Sequence, residues 1–121
     1  RKVRDTLNSH SGHSIFSTQL RRAAYTEEDN DTPLLFVNAG LDPSLSLEQQ
    51  GENFWWSRGD FIDITVPYSP FGRVIRGFDP KHRGMHVNCV TATIDGGCGY
   101  GGALIAAGFD NAGEIQHVLE A

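Results

Sequence analysis

The sequence predicts an α/β protein, and three observations carry that reading. A helix-forming N-terminal stretch precedes a series of short β-rich runs. Those runs repeatedly stop on a polar side chain followed by glycine. The chain then closes on two apolar runs around an Asn/Gly turn. The recurrent ending occurs after Leu34–Val37, which stops at Asn38 and Gly40. It recurs after residues 73–75, at Arg76, Gly77 and Asp79, and after residues 91–94, at Asp95, Gly96 and Gly97. If these strands share a direction, their ends converge on one sheet edge, which is where open α/β sheets display their working groups.

Taken in order, residues 1–24 read as helical, broken at Ser9-His10-Ser11-Gly12, where a serine can cap a second helix from His13 to Tyr25. Ile15, Phe16, Leu20, Ala23 and Ala24 form the apolar stripe of that helix. An acidic turn-rich stretch at residues 26–33 leads into the strand Leu34–Val37. Ser46 with Gln49 three residues on is a capping-box pattern for a short helix running toward Trp56. Residues 63–73, with prolines at 67 and 70, read as loop with one extended piece. Further strands are expected at 73–75, within 86–95, and in the two halves of a closing hairpin around residues 109–113.

Composition bounds the function. A chain of 121 residues supports one modest domain, able to bury roughly two-thirds of its unfolded surface. With 39% hydrophobic and 21% charged residues it reads as globular. A net charge of −5 leaves no broad nucleic-acid footprint. No apolar run approaches the roughly 20 residues that cross a bilayer, so no membrane partner is expected. The chain opens on Arg1 and carries no signal-peptide pattern. Cys89 and Cys98 match neither a zinc pattern nor a disulfide framework, which points to reduced thiols and a cytoplasmic location.

Several tempting motifs fail on their surroundings. Gly59-Asp60-Phe61-Ile62-Asp63 has no Arg-Gly after it, as a metal-binding GDxxDRG segment requires. His82 and His86 flank Gly84 and follow Pro80, which argues against a helical zinc pair. The glycine run at residues 96–102 lacks the Lys-Ser/Thr of a phosphate-binding P-loop.

Four segments in order carry a family resemblance. Leu35-Phe36-Val37-Asn38-Ala39-Gly40 is similar to LFVHAG, and residues 56–61, Trp-Ser-Arg-Gly-Asp-Phe, to WxRxxF. Residues 74–80, Val-Ile-Arg-Gly-Phe-Asp-Pro, are similar to VxxGHTP. Residues 92–115 are similar to a closing IDTGxxxGG segment. The series resembles the C-terminal half of the calcineurin-like metallophosphoesterases, in the branch of protein serine/threonine phosphatases and diadenosine tetraphosphate hydrolases. It covers about residues 34–121, and the whole chain, 1–121, then reads as the C-terminal part of such a domain without its N-terminal metal-binding half.

The resemblance implies half of a four-layer αββα sandwich with a mixed or largely antiparallel sheet and helices at its start. It also implies a parent that cleaves phosphoesters with two divalent cations of Mn or Mg type, which activate water and clamp phosphate. The metal-ligand motifs of the N-terminal half do not occur here, and the two remaining imidazole positions hold Asn38 and Phe78. Asn38 offers a neutral oxygen that can ligate a hard cation and binds transition metals more weakly than imidazole; its alternative is a side chain that caps the turn at its own strand end. Phe78 offers nothing, and Asp79 substitutes only if the backbone re-aims it. No metal is therefore expected in this chain alone.

Arg58 falls on the arginine of WxRxxF that holds substrate phosphate, a task suited to a guanidinium fork. Its alternative is a surface arginine stacked on a tryptophan. Asp95 and Arg76 complete the strand-end edge. The expectation is a phosphatase-like piece, inactive alone, with a phosphorylated small molecule or phosphoprotein as partner. Self-association through the sheet surface left uncovered is also expected. Its rivals are an active parent with a rearranged site, a phosphate- or nucleotide-binding pseudophosphatase, and a purely structural interaction domain.

Overall fold

In the computed structural model, which describes residues 1–27 and 32–121, the chain is mixed α/β. Two short helices, α1 (Lys2–Ser9) and α2 (His13–Gln19), lead into β1 (Ala23–Tyr25) and β2 (Leu34–Val37). A 3-10 turn at Leu47–Gln49, the one-turn helix α3 (Asn53–Trp56) and a second 3-10 turn at Phe61–Asp63 connect to β3 (Arg73–Arg76). Strands β4 (His86–Val87) and β5 (Thr91–Thr93) follow, then the hairpin of β6 (Ile105–Phe109) and β7 (Ile115–Glu120). The part of the acidic stretch at positions 28–31 lies outside the described residues.

The main sheet has five strands in the order β1-β2-β3-β5-β4. Its centre is parallel: β2 pairs with β3 from Leu34↔Arg73 to Val37↔Arg76, and β3 with β5 from Val74↔Thr91 to Arg76↔Thr93. Both edges are antiparallel, β1 against β2 and β4 against β5. The sheet is therefore mixed.

Alternation along the strands divides two cores between the two faces. On one face Leu35, Val37 and Val74 pack with Leu41, Phe54, Phe61, Tyr68 and Phe71 from the connections. On the other, Leu34, Ile75 and Ala92 form a smaller cluster with half-buried Phe36, Ile94 and Phe109. Parallel strands buried on both faces read as continuous apolar runs, which is why Leu34–Val37 shows no polar alternation. The β6–β7 hairpin is tied to the second face by buried Arg73, which donates to the Gly113 carbonyl and pairs with Glu114 at 3.1 Å.

Two local expectations are corrected and one is extended. The second helix ends at Gln19 instead of Tyr25, because Ala23–Tyr25 pairs with β2 as an edge strand; ladder bonds outweigh the helix preference of two alanines. Its stripe does not bury either: Ile15, Phe16 and Leu20 are exposed. The strand expected within 86–95 is present as β5, and the same stretch also holds β4, antiparallel to it, since Asn88 Oδ1 accepts from the backbone N–H of Val90 at 2.9 Å and Thr91 at 2.6 Å and turns the chain. The capping-box glutamine holds as expected, with Gln49 Oε1 accepting from the Ser46 N–H at 3.2 Å. It closes a 3-10 turn separate from α3.

Candidate functional site at the strand ends

Because β2, β3 and β5 run parallel, their C-terminal ends meet at one edge. The Asn38 carbonyl accepts from the N–H of Phe78 at 2.9 Å and of Gly77 at 3.1 Å. The Arg76 carbonyl accepts from Ile94 N–H at 3.0 Å. Asp95 closes the set: Oδ2 accepts from Asp79 N–H and Oδ1 from Gly97 N–H, both at 2.8 Å. Asn38, Arg76, Asp79 and Asp95 are thus brought together.

Their side chains do different things. Asn38 is exposed, and its Nδ2 donates at 2.9 Å to the carbonyl of Trp55, while Ala39 N–H donates at 2.8 Å to that of Phe54. Two carbonyls at the C-terminal end of α3, which have no partner within the helix, are satisfied this way. The strand end holds the helix segment preceding Arg58 in place. Phe78 is half-buried beside His82, which also packs on Tyr100 with ring centroids 4.1 Å apart.

Arg76 turns inward. It is only 1% exposed, donates from Nε to Thr93 Oγ1 at 2.8 Å and from Nη1 to the Ala39 carbonyl at 3.2 Å, and lies 4.7 Å above the Phe61 ring. Strand alternation explains the direction, since residue 76 shares the face of Val74 and the larger core. Burial lowers the guanidinium's affinity for its proton, and Asp79 opposes that effect. Arginine nonetheless stays charged.

Asp79 is equally buried and lies 3.1 Å from Arg76 Nη2. Its carboxylate accepts from Arg83 Nε at 2.9 Å, from Arg83 Nη2 at 3.2 Å, and from the backbone N–H of Lys81 and Arg83. Burial pushes this carboxyl up, but the Arg83 guanidinium, those amides and Arg76 outweigh it and hold it well below the ordinary carboxylate range. Asp60 extends the chain of charges outward, pairing with Lys81 at 2.8 Å and Arg83 at 2.9 Å. Arg83 and then Lys81 draw its pKa down to about 2. Both carboxyl oxygens of Asp79 are spent on the Arg76–Asp79–Arg83–Asp60–Lys81 network, so its oxygens face cations and amides within the protein.

Arg58 is exposed and stands apart from that network. It lines a groove of about 550 Å³ with Leu41, Pro43, Ser44 and Asp60. Its charge adds slightly to the lowering of Asp42, which comes mainly from the Ser44 hydroxyl and then the Ser44 N–H. The aromatic stack expected as its alternative belongs to Arg76 on Phe61. Phe54 and Phe61 are core, whereas Trp56 is 70% exposed. Another groove, about 790 Å³ between Tyr25, Leu47, Tyr68 and Phe71, includes none of the strand-end residues.

Among the described residues no group of three or more His, Cys, Asp or Glu side chains is clustered as metal ligands would be. Nor is any helix long and apolar enough to cross a membrane. Cys89 and Cys98 are free and exposed. The sequence did not single out Ser57, Lys81 or Arg83, and no spacing rule marks them. Asp60 falls in the Gly59–Asp63 stretch, whose surroundings do not fit a metal-binding segment. No protein-family model, curated protein or solved structure matches the chain.

Proposed function

We propose that this chain is the C-terminal half of a metallophosphoesterase-like domain that binds phosphorylated ligands through Arg58 and does not hydrolyse them by itself. The observation that carries the proposal is the exposed Arg58 guanidinium. It lies three residues beyond Trp55, whose carbonyl accepts from Asn38, and in this reading Asn38 and Phe78 stand for the metal-binding imidazoles of the family that the sequence resembles. An arginine that spends its donors on no described carboxylate keeps its fork for an incoming phosphate.

The parallel strand ends support the same reading, since they bring Asn38, Arg76 and Asp95, from three of the four resembling segments, to one edge of the sheet. So does the thinner of the two cores. Phe36 and Ile94 are only half-buried around Ala92, a face that a second sheet would cover in a four-layer αββα sandwich. A divalent cation of Mn or Mg type belongs, in this reading, to the completed parent domain.

The test is a titration with phenyl phosphate followed by NMR, alongside a turnover assay on an aryl phosphate with Mn²⁺. Expected are shifts at Ser44 and Arg58 that disappear in Arg58→Ala, with no turnover. Hydrolysis by the chain alone, or binding indifferent to Arg58→Ala, overturns the proposal. Asn38→His with Phe78→His then asks whether the edge gains affinity for Mn²⁺, as the resemblance implies.

A further inference from the structure

Strand β1 leaves one side of the main sheet open. It stands first in the strand order, and among the described residues no strand pairs with its outer side. The ladder decides which backbone groups face outward. The Thr26 N–H donates to the Leu34 carbonyl at 3.0 Å, so residues 24 and 26 turn their backbone groups toward β2. By alternation Ala23 and Tyr25 turn theirs away, a ready template for another strand. Proteins commonly blunt such an edge with a charge, a proline or a bulge inside the strand. Ala23-Ala24-Tyr25 carries none of these.

The flanking charges point to the occupant. Arg21 and Arg22 precede β1 and Glu27 follows it, all three exposed. In a second copy laid antiparallel alongside and centred on Ala24, Ala23 faces the partner's Tyr25 as a hydrogen-bonded pair, which the outward N–H and C=O groups require. One step further out, Arg21 falls opposite the partner's Glu27, and the two-fold repeats that contact at the other end. Opposite charges stabilise such a cross-strand pair and like charges destabilise it. A parallel arrangement in register sets arginine beside arginine, so the charges select the antiparallel one.

Residues 21, 23, 25 and 27 share a face by strand alternation. On it Ala23 packs against the larger core and the Tyr25 ring lies 5.9 Å from that of Phe71. Tyr25 is 63% exposed in the single chain, and the register lays it over the partner's small Ala23. The opposite edge offers no such match. Strand β4 has two residues, with Lys81 and Arg83 before it and no acidic residue after it until Asp95.

We propose that β1 is a dimerisation edge. Two copies of this chain pair antiparallel through Ala23 and Tyr25 about a two-fold axis at Ala24, with Arg21 of each on the partner's Glu27. A self-complementary contact of this kind closes at two copies. Nothing in it depends on Arg58 or on the family resemblance.

The experiment is sedimentation velocity of the full chain over a concentration series, with backbone amide exchange read by NMR. A monomer–dimer equilibrium is expected. The Ala23 and Tyr25 N–H groups should gain protection as concentration rises, while Thr26, already bonded to β2, changes little. Arg21→Glu and Glu27→Arg each set like charges opposite one another at both ends, and each should weaken the dimer about tenfold. Mixed in equal amounts, these two variants restore opposite charges at both ends and should form a heterodimer of wild-type affinity. Ala23→Pro removes an outward N–H and spares the β1–β2 bonds, and it should leave the chain monomeric.

A wild-type chain monomeric at every concentration, a mixture no tighter than its parts, or growth past the dimer overturns the inference. So does association that survives Ala23→Pro and both reversals, since another surface then holds it. Arg58→Ala should leave the dimer intact while abolishing the phenyl phosphate shifts, so failure here and failure of the proposed function are read separately.

Discussion

Asp79 shows how much a single side chain can be asked to do. It neutralises Arg76, which is almost fully buried, and anchors Arg83 at the surface. Removing one partner of a buried pair strands the other charge in a poor solvent, at a cost of about 3–5 kcal/mol. Asp79→Ala is expected to lose stability on that scale in urea denaturation. Arg76→Met with Asp79→Leu together is expected to lose much less, because no charge is left behind.

The same carboxylates fix the acid limb of stability. Asp60 titrates at about 2 when folded against an ordinary 3.8, and Asp79 is shifted in the same direction. A depressed folded pKa contributes stability that is present above the ordinary value and is lost as pH falls toward the folded value. Stability should therefore fall as pH drops through 3.8 toward about 2. Asp60→Asn should flatten part of that fall in denaturation curves taken at successive pH values.

At the scale of elements, the positions of the central strands were legible from sequence, whereas their shared direction and the edge strands were not. Apolar runs ending in a polar residue and glycine located β2, β3 and the end of β5, and the Asn/Gly turn located the final hairpin. What local pattern could not supply was pairing. Ala23–Tyr25 becomes a strand only because the free side of β2 is there to bond it. The break in residues 86–95 depends on Asn88, whose Nδ2 also reaches the carbonyls of Ile64 at 3.2 Å and Ile62 at 3.4 Å. One amide thus sets the β4–β5 turn and fastens it to the 3-10 turn beneath. Asn88→Ala should cost about 2–3 kcal/mol in thermal or urea unfolding, the toll of leaving several partly buried groups unpaired.

The site divides in the same way. Asn38, Arg76, Asp79 and Asp95 could be placed on one edge from strand endings alone. That Arg76 turns into the core follows from its parity with Val74, a matter of register and packing. The pairing of Arg83 with Asp79 and Asp60 joins residues up to 23 positions apart, and no sequence periodicity records that.

For the whole molecule, the distribution of apolar surface is uneven. Val3, Leu7, Ile15, Phe16 and Leu20 of the helical N-terminus are all exposed, as are Leu104 and Leu119 of the hairpin. Apolar side chains exposed in this number favour association where they meet a partner surface. The proposed half-domain character predicts concentration-dependent self-association in sedimentation velocity. Phe16→Ser combined with Leu20→Ser is expected to shift the distribution toward monomer, and a chain monomeric at all concentrations would count against an uncovered half-fold.

Trp56, exposed and one residue from Ser57, lines a small cleft of about 110 Å³ together with Lys81 and Arg83. Fluorescence from that ring is sensitive to any change in local field or collisional access, so the protein carries an intrinsic optical gauge of what enters beside it. Trp55, half-buried and tied through its carbonyl to Asn38, supplies a second emitter anchored to the strand end. Replacing either with phenylalanine would resolve the two signals, and occupancy could then be followed in dilute solution without attaching a dye.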